Sequence, residues 1–149
     1  MEPFLTTLLM RAHNAQISAL RPGMADVGLS PGQPKILDML VLHGSQSQRE
    51  LADRCAIEPA TVSRLLDKME ADGLIARQSA PGCRRAWEVS VTELGRERQE
   101  AFQSMRAQVE QRELTGFTPQ EEAQLRDFLA RLYRNLTTEA KEEPSHGQP

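Results

Sequence analysis

The stretch from Pro59 to Arg85, "PATVSRLLDKMEADGLIARQSAPGCRR", begins with the pattern of a helix and ends in a turn. Four apolar residues in it recur at the spacing i, i+3, i+4 and i+7, namely Val62, Leu65, Leu66 and Met69. This spacing is typical of a helix that buries one face in a core. Gly73 stands where a left-handed C-cap is favoured, so we predict a helix from Pro59 to Asp72.

The apolar period changes from that of a helix to that of a strand after Gly73. Trp87, Val89 and Val91 alternate with smaller or polar residues, and the preceding "SAPG" supplies a turn. Alternation with a period of two is typical of a half-buried strand. We therefore predict a β-hairpin from Leu74 to Val91.

Two capping-box patterns lie before this stretch and predict two more helices. Ser47 and Glu50 open a short helix that ends near Ile57. Ser30 and Gln33, with Pro31 at the first helical position, open an earlier helix whose first turn Pro34 should make irregular. The core face of that earlier helix is Ile36, Leu37, Leu40 and Val41.

Long helices are predicted on both sides of this central region. The first spans Glu2 to Leu20, and "RPGMADVG" breaks it. Thr92 caps a helix that runs toward Leu114, and Thr118 with Glu121 opens the last one. The apolar stripe of the last helix is Leu125, Phe128, Leu129, Leu132, Tyr133 and Leu136.

This order of elements predicts a mainly α fold containing a winged helix-turn-helix, which is two short helices followed by a small β-hairpin wing. In such a fold the second short helix enters the DNA major groove. We predict one domain over residues 1–137, with a DNA-binding lobe at 29–91, dimerisation helices at 1–28 and 92–137, and a disordered tail at 138–149. The apolar stripes of the first and last helices exceed what a small core covers, and this excess favours a homodimer.

Candidate DNA contacts lie on the second short helix and at the tip of the wing. Small residues at Pro59 and Ala60 allow close approach to the duplex, and Arg64 has the geometry to bind guanine through two hydrogen bonds. Lys68 is one turn further on and suits a phosphate. The complete predicted set is Ser47, Gln48, Pro59, Ala60, Thr61, Ser63, Arg64, Lys68, Arg84 and Arg85.

Composition argues against several other classes of protein. A chain of 149 residues suits one domain. Because its net charge is −3, any contact with nucleic acid must come from the placement of a few basic side chains. Cys55 and Cys83 have no metal-ligand spacing, and no nucleophile with a base partner or glycine-rich phosphate loop is evident. We therefore expect neither an enzyme nor a metal or cofactor.

The sequence contains no signal-peptide pattern and no apolar run long enough to span a membrane. We therefore expect a soluble, cytoplasmic protein.

Four segments together resemble the MarR family of bacterial transcriptional regulators. They are "LSPGQ" at Leu29–Gln33, "ELA" at Glu50–Ala52, "PATVSRLLDKMEADGLIAR" at Pro59–Arg77 and "RRAWEVSVTELG" at Arg84–Gly95. The resemblance covers nearly the whole chain before the tail. It implies an obligate homodimer that binds a palindromic double-stranded operator. We expect the protein to act there as a repressor, with activation as the alternative. It also implies release from DNA by a small, commonly aromatic, anion.

The resemblance places the effector in a cleft between the dimerisation and DNA-binding parts of the protein. We expect Arg11 or His13 to supply the counter-charge there, and Met39 and His43 complete the candidate set. A thioether such as Met39 suits an adaptable lining, although its helical spacing also suits a core. His13 and His43 equally fit packing or surface positions.

Cys83 departs from the family pattern, which usually has an aspartate at this place in the wing. One interpretation is that the wing arginine loses an orienting carboxylate and the wing gains positive charge. The alternative is a redox-responsive regulator, because we expect a thiol beside Arg84 and Arg85 to favour the reactive thiolate. A further alternative for the whole chain is a winged-helix module that binds protein and not DNA.

Overall fold

A computed structural model describes residues 2–79, 82 and 87–138, and the chain divides into two compact units between Val109 and Glu110. The first unit contains most of the elements: α1 (Leu5–Asp26), α2 (Gln33–His43), β1 (Gln46–Ser47), α3 (Gln48–Cys55), α4 (Pro59–Ala71), β2 (Ile75–Ser79) and β3 (Trp87–Val91). Helix α5 (Glu93–Glu113) continues into the second unit, which also contains α6 (Pro119–Thr138). The predicted mainly α winged-helix fold is confirmed.

The core of the first unit lies between α2, α3, α4 and the sheet. Its fully covered side chains come from each of these elements: Ile36, Leu37, Leu40, Leu51, Val62, Leu66, Met69 and Val89. Three of the four residues in the α4 stripe are buried, and Leu65 packs partly against the same cluster. The helical period therefore identified correctly which face of α4 is covered.

The sheet is antiparallel and has the order β1-β3-β2. In the hairpin Ile75 is opposite Val91, and Ser79 is opposite Trp87. Strand β1 was not predicted, since two residues are too few to show a period. Its Gln46 is buried and donates through Nε2 to the carbonyl oxygens of Met39, at 2.8 Å, and Gly44, at 3.2 Å. These bonds fix the strand at the sheet edge.

The prediction that α1 ends at Leu20 is wrong, because the helix continues through Pro22 to Asp26. Its end is a Schellman arrangement, in which Gly28 N donates to Ala25 O at 3.0 Å and Leu29 N to Met24 O at 2.8 Å. Met24 is buried in the core, so packing stabilises a last turn that Pro22 alone disfavours. The local break signals could not reveal this packing.

Helix α2 begins two residues later than the predicted box implies. Gly32, with φ of 87°, is the N-cap, and Pro34 falls in the first turn, where a missing N–H donor costs little. Half of the predicted box is present, since Ser30 N donates to Gln33 Oε1 at 2.9 Å. The irregular start expected from Pro34 is therefore found.

The remaining predicted caps are present. Ser47 and Glu50 form the complete capping box of α3. In the second unit, Glu121 N donates to Thr118 Oγ1 at 3.2 Å and Thr118 N to Glu121 Oε2 at 2.8 Å. Thr138 is the last helical residue of α6, and the rest of the predicted tail, residues 139–149, lies outside the described residues.

Candidate nucleic-acid interface

Helix α4 has one buried face and one solvent-facing polar face. Pro59, Ala60 and Arg64 are exposed, and Thr61 and Ser63 are half-buried. These five predicted contacts therefore share one helix, and none of them is covered by the core. Glu58, the N-cap residue, makes no side-chain capping bond, so the first-turn amides of α4 are free to meet an acceptor such as phosphate.

Lys68 has a specific partner in the folded chain. Its Nζ donates to Ser30 Oγ, in the loop before α2, at 2.8 Å. The lysine is exposed, so an ammonium with three donors can keep this bond and still meet a phosphate. Ser30 therefore anchors the Lys68 side chain, and the phosphate contact of Lys68 stays a prediction.

Helix α3 places Ser47 and Gln48 at its start, and both are half-buried. Ser47 Oγ accepts from Glu50 N at 3.1 Å, so its lone pairs serve the cap. Its hydroxyl hydrogen remains available to a DNA phosphate. The predicted contacts Arg84 and Arg85, and Cys83 beside them, lie outside the described residues.

The predicted effector residues lie on two helices of the first unit. Arg11 and His13 are exposed on α1, and His43 is exposed at the end of α2. Met39 packs partly against the core. Among the described residues no hydrogen bond or ion pair joins these four side chains, so their shared role stays a prediction.

Sequence reasoning missed an ionic cluster between α2 and α5. Asp38 accepts from Gln99 Nε2 at 2.9 Å and from Arg106 Nη1 at 2.6 Å. The Arg106 guanidinium also lies over the Phe102 ring, 5.5 Å from its centroid. The two helices are far apart in sequence, and only the i, i+7 spacing of Gln99 and Arg106 hinted at a common face. The cluster links α2 to α5, and Asp38 is the sequence neighbour of Met39, one of the predicted effector residues.

A second missed interaction joins α4 to β2. Arg77 Nη1 donates to Asp67 Oδ1 at 2.8 Å, and Glu70 Oε1 is 4.0 Å away. Arg77 occupies an inward-facing position two residues after the buried Ile75. A charged residue at such a position is unusual, and this was the one signal in the sequence.

Cys55 is buried in the core of the first unit. Burial raises the pKa of the Cys55 thiol. The nearby charge of Lys35 lowers this pKa, and the charge of Asp38 raises it further. Its Sγ donates to Lys35 O at 3.8 Å. The thiol therefore stays protonated and unreactive.

None of the described helices is long and apolar enough to cross a membrane. Within residues 2–79, 82 and 87–138, no group of three His, Cys, Asp or Glu is arranged to hold a metal ion.

Comparison with known proteins identifies the family. The model of the MarR family matches residues 27–86. The HTH-type transcriptional repressor MdtR of Bacillus subtilis (strain 168) is 30% identical over 124 residues, which are 83% of this chain and 80% of the repressor.

Solved structures agree with this assignment. A MarR-family regulator from Silicibacter pomeroyi has a TM-score of 0.76 and 26% identity, with 89% of each chain covered. BpsR of Bordetella bronchiseptica, in a structure that concerns regulation of its DNA binding by 6-hydroxynicotinic acid, has a TM-score of 0.79 and 26% identity. That match covers 87% of this chain and 98% of BpsR. With the sequence match, the fold and the exposed polar face of α4 in agreement, the chain belongs to the MarR family of transcriptional regulators.

Proposed function

We propose that this regulator is a repressor that binds a pseudo-palindromic operator as a homodimer and is released by a small anion. One observation carries the proposal: α4 exposes Arg64 and its small first-turn residues on the face opposite its buried stripe. A helix of this form fits the major groove with its N-terminal residues at the base edges. The similarity to a protein named as a repressor favours repression over activation.

The dimer is supported by apolar side chains that remain exposed on two helices. On α1 these are Phe4, at its N-cap, with Leu5, Leu8 and Met10. On α6 they are Phe128, Leu129, Tyr133 and Leu136, and no residue of α6 is buried. Apolar groups in such numbers mark surfaces that a partner covers. Two copies of α4 related by two-fold symmetry would read the two halves of a pseudo-palindrome.

Release by an effector is supported by the similarity to BpsR. BpsR responds to 6-hydroxynicotinic acid, a small aromatic acid of the class expected from the sequence. A ligand that binds more tightly to one arrangement of α2 and α5 than to another shifts the protein toward the first arrangement. If that arrangement binds DNA poorly, operator affinity falls. We propose a small aromatic anion with Arg11 or His13 as counter-charge and Met39 and His43 nearby.

The experiment that tests DNA binding is a mobility-shift assay with duplexes from the promoter of the protein's own gene and its neighbours. We expect a shift that weakens steeply with salt, and a footprint with two symmetric half-sites. The alternative is a winged-helix module that binds protein, and it predicts no salt-dependent shift on any of these duplexes.

The effector is tested by calorimetry with a panel of small aromatic acids, followed by the shift assay at saturating ligand. Binding accompanied by a weaker shift supports release. If no acid binds and operator affinity stays constant, the protein is a repressor without an effector of this class.

A further inference from the structure

The Arg77 side chain crosses from the hairpin to the recognition helix α4. Arg77 lies in the middle of β2, opposite Val89 of β3. Only 20% of its side chain is exposed, while the Asp67 side chain that it meets is 66% exposed. A mostly covered cation on the sheet therefore holds an exposed anion on α4.

Most of the Arg77 guanidinium is enclosed by the protein. Its Nε and Nη2 atoms are also buried and have no hydrogen-bond partner among the described residues. A cavity of about 290 Å³ lies against it, lined by Gln48, Glu70, Arg77, Trp87 and Val89. Because two of its nitrogens are buried and the third holds Asp67, we expect Arg77 to act on DNA through the residue that it holds.

Asp67 occupies a sensitive position on α4. It is three residues after Arg64 and adjacent to Lys68, the two basic residues assigned to DNA. Side chains three or four residues apart on a helix are neighbours, so an unrestrained Asp67 can pair with Arg64. It would also present a negative charge close to the phosphates. The hydrogen bond to Arg77 restrains Asp67 against both.

We propose that Arg77 is a positioning residue for operator binding: by holding and neutralising Asp67, it keeps Arg64 free for DNA and ties the hairpin to the recognition helix. The inference rests on the proposed DNA-binding function. It assigns an operator-affinity role to a residue that makes no DNA contact of its own.

The test compares Arg77→Met in two backgrounds, the native chain and Asp67→Asn, with Arg77→Lys as the conservative variant. Affinities are measured for the duplex that the native protein shifts and for random duplex, over a salt series. In the native background we expect Arg77→Met to weaken operator binding about tenfold, because Asp67 is then unrestrained and unneutralised. In the Asp67→Asn background the same change should cost less than about threefold, because no anion remains to be held.

Arg77→Lys separates charge from geometry, because it keeps the cation and loses the forked donors. We expect it to recover most of the operator affinity that Arg77→Met loses. Trp87 is the single tryptophan of the chain and lines the same cavity, so its fluorescence reports the local structure. Its emission should shift in Arg77→Met and change little in Arg77→Lys.

Three outcomes would overturn the inference. The first is an equal loss of operator affinity on Arg77→Met in both backgrounds. The second is a salt slope that Arg77→Met lowers by about one unit in both backgrounds, which indicates a direct phosphate contact. The third is unchanged operator binding by a folded Arg77→Met protein. If the native protein shifts no duplex, the proposed DNA-binding function itself is refuted. If the native protein binds and its Arg77 variants bind equally well, only the inference about Arg77 is refuted.

Discussion

At the scale of single residues, Arg64 and Lys68 should contribute to DNA binding in different ways. Arg64 is exposed and makes no ion pair among the described residues, so its guanidinium is available to a base edge. We expect Arg64→Ala to cost about 1–3 kcal/mol of operator binding and to relax specificity at one base pair. The loss of affinity and of specificity is measured by binding of Arg64→Ala to the operator, to operators with single base changes and to random duplex. An equal loss on operator and random duplex would remove the base-reading role.

Lys68 should act on all sequences alike, because a phosphate contact carries no base information. Lys68→Ala should weaken operator and random duplex equally and lower the salt slope by about one unit. Ser30→Ala is the matched control, since it removes the partner of Lys68 at 2.8 Å and keeps the charge. A salt slope unchanged in Lys68→Ala would show that the ammonium serves Ser30 and not DNA.

Cys83 lies outside the described residues, and its role is still a prediction from sequence. If it only replaces the carboxylate usual in the family, Cys83→Ser should leave operator binding nearly unchanged with or without peroxide. Cys55 is buried, so it is poorly placed to act as a resolving thiol. A peroxide-induced loss of binding in the native protein that Cys83→Ser abolishes would establish the redox switch instead.

At the scale of elements, the two left-handed glycines that end α1 and α4 offer a graded test of stability. Gly73 has φ of 77°, and a Cβ there would meet only Leu94 Cδ2, at 3.8 Å. Gly73→Ala should therefore cost about 1–2 kcal/mol, the conformational penalty alone. Gly28 has φ of 72°, and a Cβ there collides with the Arg98 guanidinium that donates to Val27 O. Gly28→Ala should cost more than Gly73→Ala in chemical denaturation, and the reverse order would contradict the assigned contacts.

The elements that the sequence predicted well are those whose ends depend on nearby residues. The boxes at Ser47 and Thr118 and the glycine after α4 each act within a few positions, so local patterns identified them. The elements that it missed depend on distant packing. Helix α1 passes Pro22 because Met24 is buried, and β1 exists because Val89 is opposite Gln46. The Asp38–Arg106 pair spans 68 positions, beyond the reach of any periodic pattern.

The candidate site was predictable to a similar degree. The face of α4 follows from its period, so the exposure of Ala60 and Arg64 was expected before the structure. Arg77 was not assigned, because its role depends on the register of β2 against β3 and on the approach of α4 to the sheet. The sequence indicates that a strand position faces inward. It does not indicate which partner, here Asp67, makes a charged residue tolerable at that position.

At the scale of the whole molecule, the dimer is the prediction on which two-fold operator recognition depends. The exposed apolar side chains of α6 include Phe128 at 55%, Tyr133 at 58% and Leu136 at 68%. A surface of this composition is costly in water, so we expect the folded protein to be a dimer at micromolar concentration. Sedimentation of the native chain measures this directly.

Charged substitutions on that surface supply the matched comparison. Tyr133→Glu with Leu136→Glu should produce a monomer, because an interface with a buried unpaired charge is strongly disfavoured. Gln124→Glu, on the same helix, adds one negative charge at an already polar and exposed position and should leave the dimer intact. If the double variant is a folded monomer, it should lose most of its operator affinity and keep the weak binding of a single half-site. A native chain that sediments as a folded monomer, or a monomeric variant with full operator affinity, would contradict two-fold recognition.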